Sequence, residues 1–185
     1  QLGVPVAINI ENGIAAMALA QLSGVSNEEI KTGMASFRGV DRRFDFKIKT
    51  DKVVYLSDYA HHPEEIKQSI LSMRALYGDK KLTGIFQPHL YTRTRDFYLE
   101  FAESLSLLDE VILTDIYPAR ELPIEGVSSQ LIYDNLRPDI DKILCTKEEV
   151  IDILKKKEIE VLMTLGAGDI ENYAPQICEI LNERC

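Results

Sequence analysis

The sequence lacks the features that mark secreted, membrane-bound or zinc-stabilised proteins. It has only three cysteines among 185 residues, and no two of them form a Cys-x-x-Cys pair. A structural zinc site is therefore not expected, and so few cysteines are typical of a protein from a reducing compartment. No apolar run approaches the roughly 18 residues of a membrane span, and no segment has the pattern of a signal peptide. We expect a cytoplasmic protein.

Positive charge is also scarce, since 21 basic residues face 30 acidic ones and the net charge is −9. A surface that binds nucleic acid needs a basic face, so we expect neither nucleic acid nor membrane as a partner. No Gly-x-x-x-x-Gly-Lys-Ser/Thr phosphate loop is found, and Gly166-Ala167-Gly168 is a weak dinucleotide signal because Glu171 replaces the third glycine. We interpret that segment as a tight strand-to-helix turn. There is no His-Glu-x-x-His, and the adjacent His61 and His62 point apart on an extended chain, so no metal site is predicted.

Residues 1–40 have the pattern of two helices. The first is predicted over 9–22, and Ser26 with Glu29 forms a capping box for the second. The second helix should bury an apolar stripe made of Ile30, Met34 and Phe37. Two short helices cannot bury two apolar faces alone, and the chain begins with Gln1. We therefore expect these helices to belong to a larger preceding domain, and an exposed apolar patch where that domain is missing.

From residue 41 onward, strand and helix patterns alternate. Strands are predicted at 44–49, 53–56, 82–86, 111–114, 140–145 and 161–165. Helices are predicted from Pro63 to Gly78, over 94–107, after Ser128 or Ser129, over 147–156, and after Asp169 with a separate turn before Pro175. This alternation predicts an α/β fold, a mainly parallel sheet with helices on both faces. The first two strands look like a hairpin, so one antiparallel edge is expected.

Polar side chains concentrate where two of these strands end. Asp58-Tyr59-Ala60-His61-His62-Pro63 follows one strand, and the segment from Gln87 to Arg95 follows the next. The carboxyl ends of parallel strands form the binding crevice of an open α/β sheet. We therefore predict that a small polar ligand, anionic in character, lies between two neighbouring strand ends.

The first of these segments favours a ligand with hydrogen-bond donors. Pro63 fits the first helical position and keeps His62 extended. His61 or His62 can then point into the crevice, while Asp58 accepts hydrogen bonds from a hydroxyl or ammonium group. The alternative is that one histidine caps the helix and the other lies on the surface.

The second segment favours an anion. Arg93 and Arg95 offer planar forks for a carboxylate or phosphate, next to His89. Thr92 or Thr94 can cap the following helix. Two arginines in a first turn oppose the helix dipole, which indicates an anionic ligand, although surrounding acids could pair with them instead.

Several segments together resemble one family, the Mur ligases, which are ATP-dependent ligases of peptidoglycan synthesis. The matching segments are Asn9-x-x-Asn12, Gly39-Val40-Asp41-Arg42-Arg43-Phe44-Asp45, Asp58 to Pro63, Phe86 to Thr94, Tyr117-Pro118-Ala119-x-Glu121-x-Pro123-Ile124-x-Gly126 and Gly166-Ala167-Gly168. They cover nearly the whole chain in the family's order and spacing. On residue type alone, Asn9 and Asn12 would be helix caps.

The resemblance implies that residues 1–40 are the C-terminal remnant of a central ATPase domain and that 41–185 are the Mur ligase C-terminal domain, which is Rossmann-like. It is strongest to the members that join L-alanine to UDP-N-acetylmuramate through an acyl phosphate. ATP and Mg²⁺ would serve the full-length enzyme, whose phosphate loop and Mg²⁺ ligands would lie outside this chain, so the chain alone should be inactive. The open alternatives are a murein-peptide recycling ligase and a non-catalytic Rossmann-like nucleotide-binding module.

The resemblance also implies a site with two sides. The ATP side would contain Asn9, Asn12, Arg43 and Asp58. The side that binds the amino acid would contain Tyr59, His61, His89 and Arg93. No catalytic residue and no metal ligand is assigned in this chain. Ser57 stands where many members have a second acid and Leu90 where many have an arginine, so the alanine carboxylate would depend mainly on Arg93.

Overall fold

A computed structural model describes residues 7–37 and 39–184, with only the backbone for 7–9. The chain divides into two compact units, Gln1–Asp41 and Arg42–Cys185. Across the described ranges, every helix falls short of the length and apolar character that a membrane crossing requires.

The first unit contains helix α1 (Ala7–Leu22) and helix α2 (Asn27–Ser36). The predicted capping box is confirmed: the Glu29 amide donates to Ser26 Oγ at 3.4 Å, and the Ser26 amide donates to Glu29 Oε2 at 3.0 Å. The predicted buried stripe of α2 is wrong, because no residue of that helix is buried and Phe37, just after it, is 52% exposed. Two short helices offer too little surface to enclose an apolar face. The exposed apolar side chains of this unit are Ile10, Ile14, Met17, Leu19, Leu22, Val25, Phe37 and Val40.

The second unit is a six-stranded sheet with helices on both faces. The strands are β1 (Asp45–Lys49), β2 (Val54–Asp58), β3 (Leu82–Phe86), β4 (Glu110–Leu113), β5 (Asp141–Leu144) and β6 (Val161–Leu165). The helices are α3 (Pro63–Leu76), α4 (Tyr91–Leu105), α5 (Gln130–Asn135), α6 (Val150–Lys155) and α7 (Ala174–Asn182). Single 3₁₀ turns, Lys147–Glu149 and Ile170–Tyr173, precede α6 and α7. The second of these confirms the separate turn that was predicted before Pro175.

The strand order is β1-β2-β6-β3-β4-β5. The pairs from β2 to β5 are all parallel, and β1 pairs with β2 antiparallel, so the predicted α/β fold and its antiparallel edge are confirmed. The prediction that the polar ends of β2 and β3 are neighbours is wrong, because β6 pairs with both of them. The crossover through α3 carries the chain past one strand position, and the last strand fills that position.

Both faces of the sheet are covered by apolar side chains. On one face, a buried cluster joins the sheet to α6 and α7; it includes Tyr55, Ile85, Ile112, Leu162, Val150, Leu154, Ile177 and Leu181. On the opposite face α4 covers the sheet, where Phe86 of β3 contacts Phe101 at 5.2 Å between ring centroids. Each such fully buried side chain stabilises the fold by about 1.5–3 kcal/mol. This two-sided packing fixes the carboxyl ends of the strands, where the candidate site lies.

Candidate functional site

A row of four aromatic rings runs across the carboxyl ends of β2 and β3. Its members are Tyr59, His61, His89 and Tyr117, and we call them the ring row. Tyr59 and His61 lie 5.2 Å apart between centroids, His61 and His89 lie 6.2 Å apart, and His89 stacks on Tyr117 at 5.6 Å. The row brings together two of the segments that the sequence singled out, even though β6 separates their strands.

Arginines contact this row at two of its members, Tyr59 and His89. The guanidinium of Arg42 lies 4.7 Å from the Tyr59 ring centroid, and that of Arg43 lies 5.3 Å from it, both within cation–π range. At the other side, Arg93 Nη1 donates to His89 Nδ1 at 3.3 Å. The site is thus rich in positive charge and aromatic surface, although the chain as a whole is acidic.

His89 is held in its neutral form. Burial lowers its pKa, and the nearby Arg93 and His61 lower it further, while Glu121 opposes them. Because an arginine can only donate, Nδ1 of His89 must accept, and the ring proton therefore resides on Nε2.

Only one histidine of the adjacent pair belongs to the row. His61 places Nδ1 2.9 Å from the Tyr59 carbonyl oxygen and 3.5 Å from Glu65 Oε2, so Nδ1 carries a proton and donates it. His62 instead occupies the N-cap position of α3 and packs edge-on against Phe97 at 5.0 Å. The two histidines thus have different positions: His61 belongs to the ring row, and His62 stands at the start of α3 without a side-chain cap hydrogen bond.

Asp58 is half-buried at the end of β2. Its Oδ2 accepts from Ser69 Oγ of α3 at 2.6 Å, and its Oδ1 accepts from the Ala60 amide at 3.3 Å. Burial raises the pKa of this carboxyl, and these hydrogen bonds oppose that shift. One oxygen thus binds α3 and the other binds the backbone of the loop after β2, so a ligand would share this carboxylate with groups of the fold.

The N-terminus of α4 is capped by a residue that sequence reasoning missed. Glu121, from the loop after β4, accepts from the Thr92 amide at 2.9 Å and also from the Thr92 hydroxyl. The helix therefore begins at Tyr91, three residues earlier than predicted, and neither proposed threonine is its N-cap. Thr94 Oγ1 donates back to the Leu90 carbonyl at 2.9 Å.

The two arginines of this first turn have different surroundings. Arg93 is partly buried beside His89, whereas Arg95 is exposed and pairs with Asp96, with 2.7 Å between Nε and Oδ1. The unfavourable interaction of these two arginines with the helix dipole is therefore offset by carboxylates of the chain itself, Glu121 at the helix start and Asp96 beside Arg95. Of the two arginines, Arg93 is the one that lies next to the ring row.

The turn after β6 is locked to the segment after β3 by Gln87. The Gln87 side-chain amide donates from Nε2 to Asp169 Oδ1 at 2.7 Å, and its Oε1 accepts from the Ile170 amide at 2.9 Å. Gly166 has φ +137°, and a Cβ there would lie 2.6 Å from the Gln87 carbonyl oxygen. Asp169 occupies the predicted N-cap position, ahead of the 3₁₀ turn, but its side chain pairs with Lys147 and makes no cap hydrogen bond. Gln87 stands inside a segment quoted from the sequence, but no local pattern there indicated its role.

The remaining predicted residues are placed as follows. Asn12 is exposed on α1, and the side chain of Asn9 lies outside the described residues. Arg42 reaches the turn after β6, where Nη2 donates to the Gly168 carbonyl at 3.3 Å. Within the described part of the chain, no three His, Cys, Asp or Glu side chains come together as metal ligands would.

Comparison with known proteins assigns a class to this arrangement. The family model for the Mur ligase, glutamate ligase domain matches residues 42–170. The chain therefore belongs to the Mur ligase family.

The relatives with the higher identities have one name in common. A protein of Phocaeicola vulgatus named UDP-N-acetylmuramate–L-alanine ligase is 79% identical over 184 residues, which is 100% of this chain and 40% of that protein. A protein of the same name from Porphyromonas gingivalis is 52% identical over 186 residues, with 100% and 41% coverage. The chain thus spans about 40% of the length of the curated relatives that it matches.

Solved structures agree with this placement. The crystal structure of UDP-N-acetylmuramate-alanine ligase from Thermotoga maritima superposes with a TM-score of 0.80 at 26% identity, covering 100% of this chain and 40% of that one. A murein peptide ligase from Psychrobacter arcticus superposes with a TM-score of 0.68 at 18% identity, covering 94% and 36%. The second likeness shows the fold alone.

Proposed function

We propose that this chain is the C-terminal part of a UDP-N-acetylmuramate–L-alanine ligase of peptidoglycan synthesis. In that reaction ATP phosphorylates the muramate carboxylate, the amine of L-alanine attacks the acyl phosphate, and phosphate leaves. Residues 1–40 would be the end of the central ATPase domain and 41–185 the C-terminal domain, in a cytoplasmic enzyme. The observation that carries the proposal is the ring row with Arg93 beside it at the carboxyl ends of the sheet.

The amino-acid side of the site would be formed by Tyr59, His61, His89 and Arg93. The Arg93 guanidinium has a planar fork that suits a carboxylate, and its neighbour His89 is neutral and leaves that positive charge for the ligand. Catalysis in this reaction depends mainly on holding the amine in line with the acyl phosphate. The rings of Tyr59 and His61 would enclose the small methyl group of alanine and exclude water.

The ATP side would be the corner where Arg42 and Arg43 flank Tyr59. The Arg43 guanidinium over this ring suits the charge of a triphosphate, whereas Arg42 beside it is already paired with Glu171, 4.0 Å from Nε to Oε2. Asp58 fits this role less well, because both of its oxygens already accept hydrogen bonds within the fold. The described residues include no cluster of metal ligands, and we propose that the Mg²⁺ ligands and the phosphate loop belong to the rest of the enzyme. Bound MgATP would supply the phosphoryl group, and this chain would complete its enclosure when domains close.

The choice between alanine and a peptide is supported by identity. Relatives at 79% and 52% identity carry the alanine-ligase name, whereas the murein peptide ligase superposes at only 18% identity. The test is phosphate release by the full-length protein with ATP, Mg²⁺ and UDP-N-acetylmuramate, with either L-alanine or a murein tripeptide as acceptor. We expect turnover with alanine. Turnover with the tripeptide alone would support the recycling ligase, and turnover with neither would support a non-catalytic module.

A matched pair of variants tests the residues that bind the amino acid. Arg93→Ala in the full-length enzyme should raise the KM for alanine by roughly thirtyfold, equivalent to about 2 kcal/mol for a lost charge-assisted contact. Arg95→Ala removes the same charge two residues further along the helix, where Asp96 already pairs with it. This control should leave the KM for alanine within about twofold of the wild-type value. Equal alanine dependence in both variants would remove Arg93 from the site.

A further inference from the structure

The loop after β4 contains a motif to which the reaction assigns no residue, Tyr117-Pro118-Ala119-x-Glu121. This loop is bound to the segment between β3 and α4 by backbone pairing. The Tyr117 amide donates to the Pro88 carbonyl at 2.8 Å, and the Leu90 amide donates to the Tyr117 carbonyl at 3.0 Å. His89 and Tyr117 form a parallel bridge, and their rings stack with 20° between the planes. The loop therefore supports the His89 side of the ring row directly.

The same loop then turns back to reach the helix. Ala119 adopts φ +52°, and the Glu121 amide donates to the Pro118 carbonyl at 2.9 Å. This turn delivers the Glu121 carboxylate to the Thr92 amide and hydroxyl. These hydrogen bonds lower the pKa of Glu121, so the carboxylate is ionised at neutral pH. A negative charge at a helix N-terminus is stabilising.

Two features make this cap matter for the proposed reaction. The turn that Glu121 caps carries Arg93, the candidate ligand of the amino-acid carboxylate. That turn also follows Leu90, which has φ +75° and whose apolar side chain has no acceptor with which to cap the helix. An uncapped helix N-terminus is also an anion site in its own right, because its amides point outward.

We propose that Glu121 is a positioning residue for the amino-acid site of this enzyme. Its carboxylate holds the first turn of α4 in place, so that Arg93 already lies beside His89 before the amino acid arrives. It also occupies the helix N-terminus, so that the carboxylate of the amino acid binds the guanidinium and not the backbone amides. This inference rests on the proposed function, because it assigns Glu121 to the site of that reaction.

A specific kinetic effect follows. Without the cap, the first turn of α4 is ordered for only part of the time, and the amino acid must order it on binding. The apparent affinity for the amino acid is then the intrinsic affinity multiplied by the fraction of molecules in which this turn is ordered. The two arginines beside Tyr59 are unaffected. The KM for alanine should therefore rise, and the KM values for ATP and UDP-N-acetylmuramate should not.

The experiment uses the full-length protein with Glu121→Ala, Glu121→Gln and the control Glu125→Ala. Glu125 lies in the same loop, is exposed and carries the same charge. We expect Glu121→Ala to raise the KM for alanine about tenfold, Glu121→Gln to raise it about threefold because one amide oxygen still accepts, and Glu125→Ala to change it less than about twofold. Hydrogen exchange at the amides of residues 91–94 should speed up in Glu121→Ala and not in the control.

The outcomes separate the two hypotheses. If the wild type does not turn over alanine, the proposed function fails, and exchange at residues 91–94 still decides whether Glu121 holds the turn. An unchanged KM for alanine in Glu121→Ala, or exchange equal to that of the control, overturns the positioning role. A parallel rise in all three KM values with a lower melting temperature also overturns it, because that result indicates a general loss of structure.

Discussion

Replacing Gly166 with alanine should weaken the fold more than any other single methyl addition in the site. Gly166 is the first residue after β6, at the centre of the sheet, and its φ is +137°. An added Cβ would lie 2.6 Å from the carbonyl oxygen of Gln87, which is backbone and cannot rotate away. The substitution therefore combines an unfavourable backbone conformation with a steric overlap.

The expected loss in the free energy of unfolding is the sum of these two effects. A non-glycine residue at positive φ is destabilised by about 1–2 kcal/mol. Overpacking against a fixed neighbour adds about 1–3 kcal/mol. Gly166→Ala should thus lower the free energy of unfolding by about 3 kcal/mol, a large share of the roughly 5–15 kcal/mol of a typical domain.

Two other glycines separate these contributions. Gly126 has φ +76° with no atom within 4 Å of an added Cβ, so Gly126→Ala has the cost of a left-handed backbone without any steric overlap, about 1 kcal/mol. At Gly168 an added Cβ would overlap Gln87 Oε1 and lie 2.8 Å from Tyr117 Cβ, so Gly168→Ala measures overlap with side chains, about 2 kcal/mol.

Urea unfolding followed by far-UV circular dichroism is the suitable assay, because the chain has no tryptophan to report by fluorescence. The slope of free energy against urea should be the same for all variants, so that midpoints report stability. If Gly166→Ala is no less stable than Gly126→Ala, the close approach of β6 and the Gln87 backbone is refuted.

Three further predictions concern single groups and the chain itself. Residues 1–185 alone should release no phosphate from ATP, since no segment matches a phosphate loop; steady release that depends on UDP-N-acetylmuramate and alanine would contradict this. His89 should titrate below the ordinary pKa of about 6.5 when followed by NMR and assigned with His89→Gln, because burial, Arg93 and His61 disfavour its proton. The folded chain then binds fewer protons than the unfolded chain just below that pH, so the contribution of His89 to stability rises with pH there, and a midpoint at or above the ordinary value would refute the reasoning. Burial raises the pKa of Cys145 to about 11, so iodoacetamide at pH 7.5 should label it far more slowly in the folded chain than in urea, as mass spectrometry would show; equal rates would exclude the buried thiol.

Local sequence patterns predicted correctly those elements whose structure depends only on residues close together in the chain. β3 and β6 begin and end at the predicted residues, because each is a short apolar run, buried along its whole length, with polar or turn residues on both sides. The hairpin of β1 and β2 was also predicted, since the turn near Thr50-Asp51 lies between two strand patterns. The capping box of Ser26 and Glu29 is another feature contained within four residues.

Features that depend on distant partners could not be predicted. The start of α4 is set by Glu121, which lies 29 residues from Thr92 in the chain. The orientation of Asp58 is set by Ser69, whose hydroxyl competes with any ligand for the carboxylate. The choice of His61 over His62 depends on Phe97, which packs against His62 away from the ring row. In each case a contact between separate elements decides the direction of a side chain.

The position of β6 constrains how this unit folds. The last strand in the sequence is an interior strand of the sheet, and it joins β1-β2 to β3-β4-β5. Until residues 161–165 pair, the two halves share no backbone hydrogen bonds through the sheet, and β2 and β3 each expose an unpaired apolar edge. Closure of the sheet is therefore a late, long-range event, which slows folding and leaves the partly made protein open to aggregation. Loss of this single strand would divide the sheet into two separate pieces.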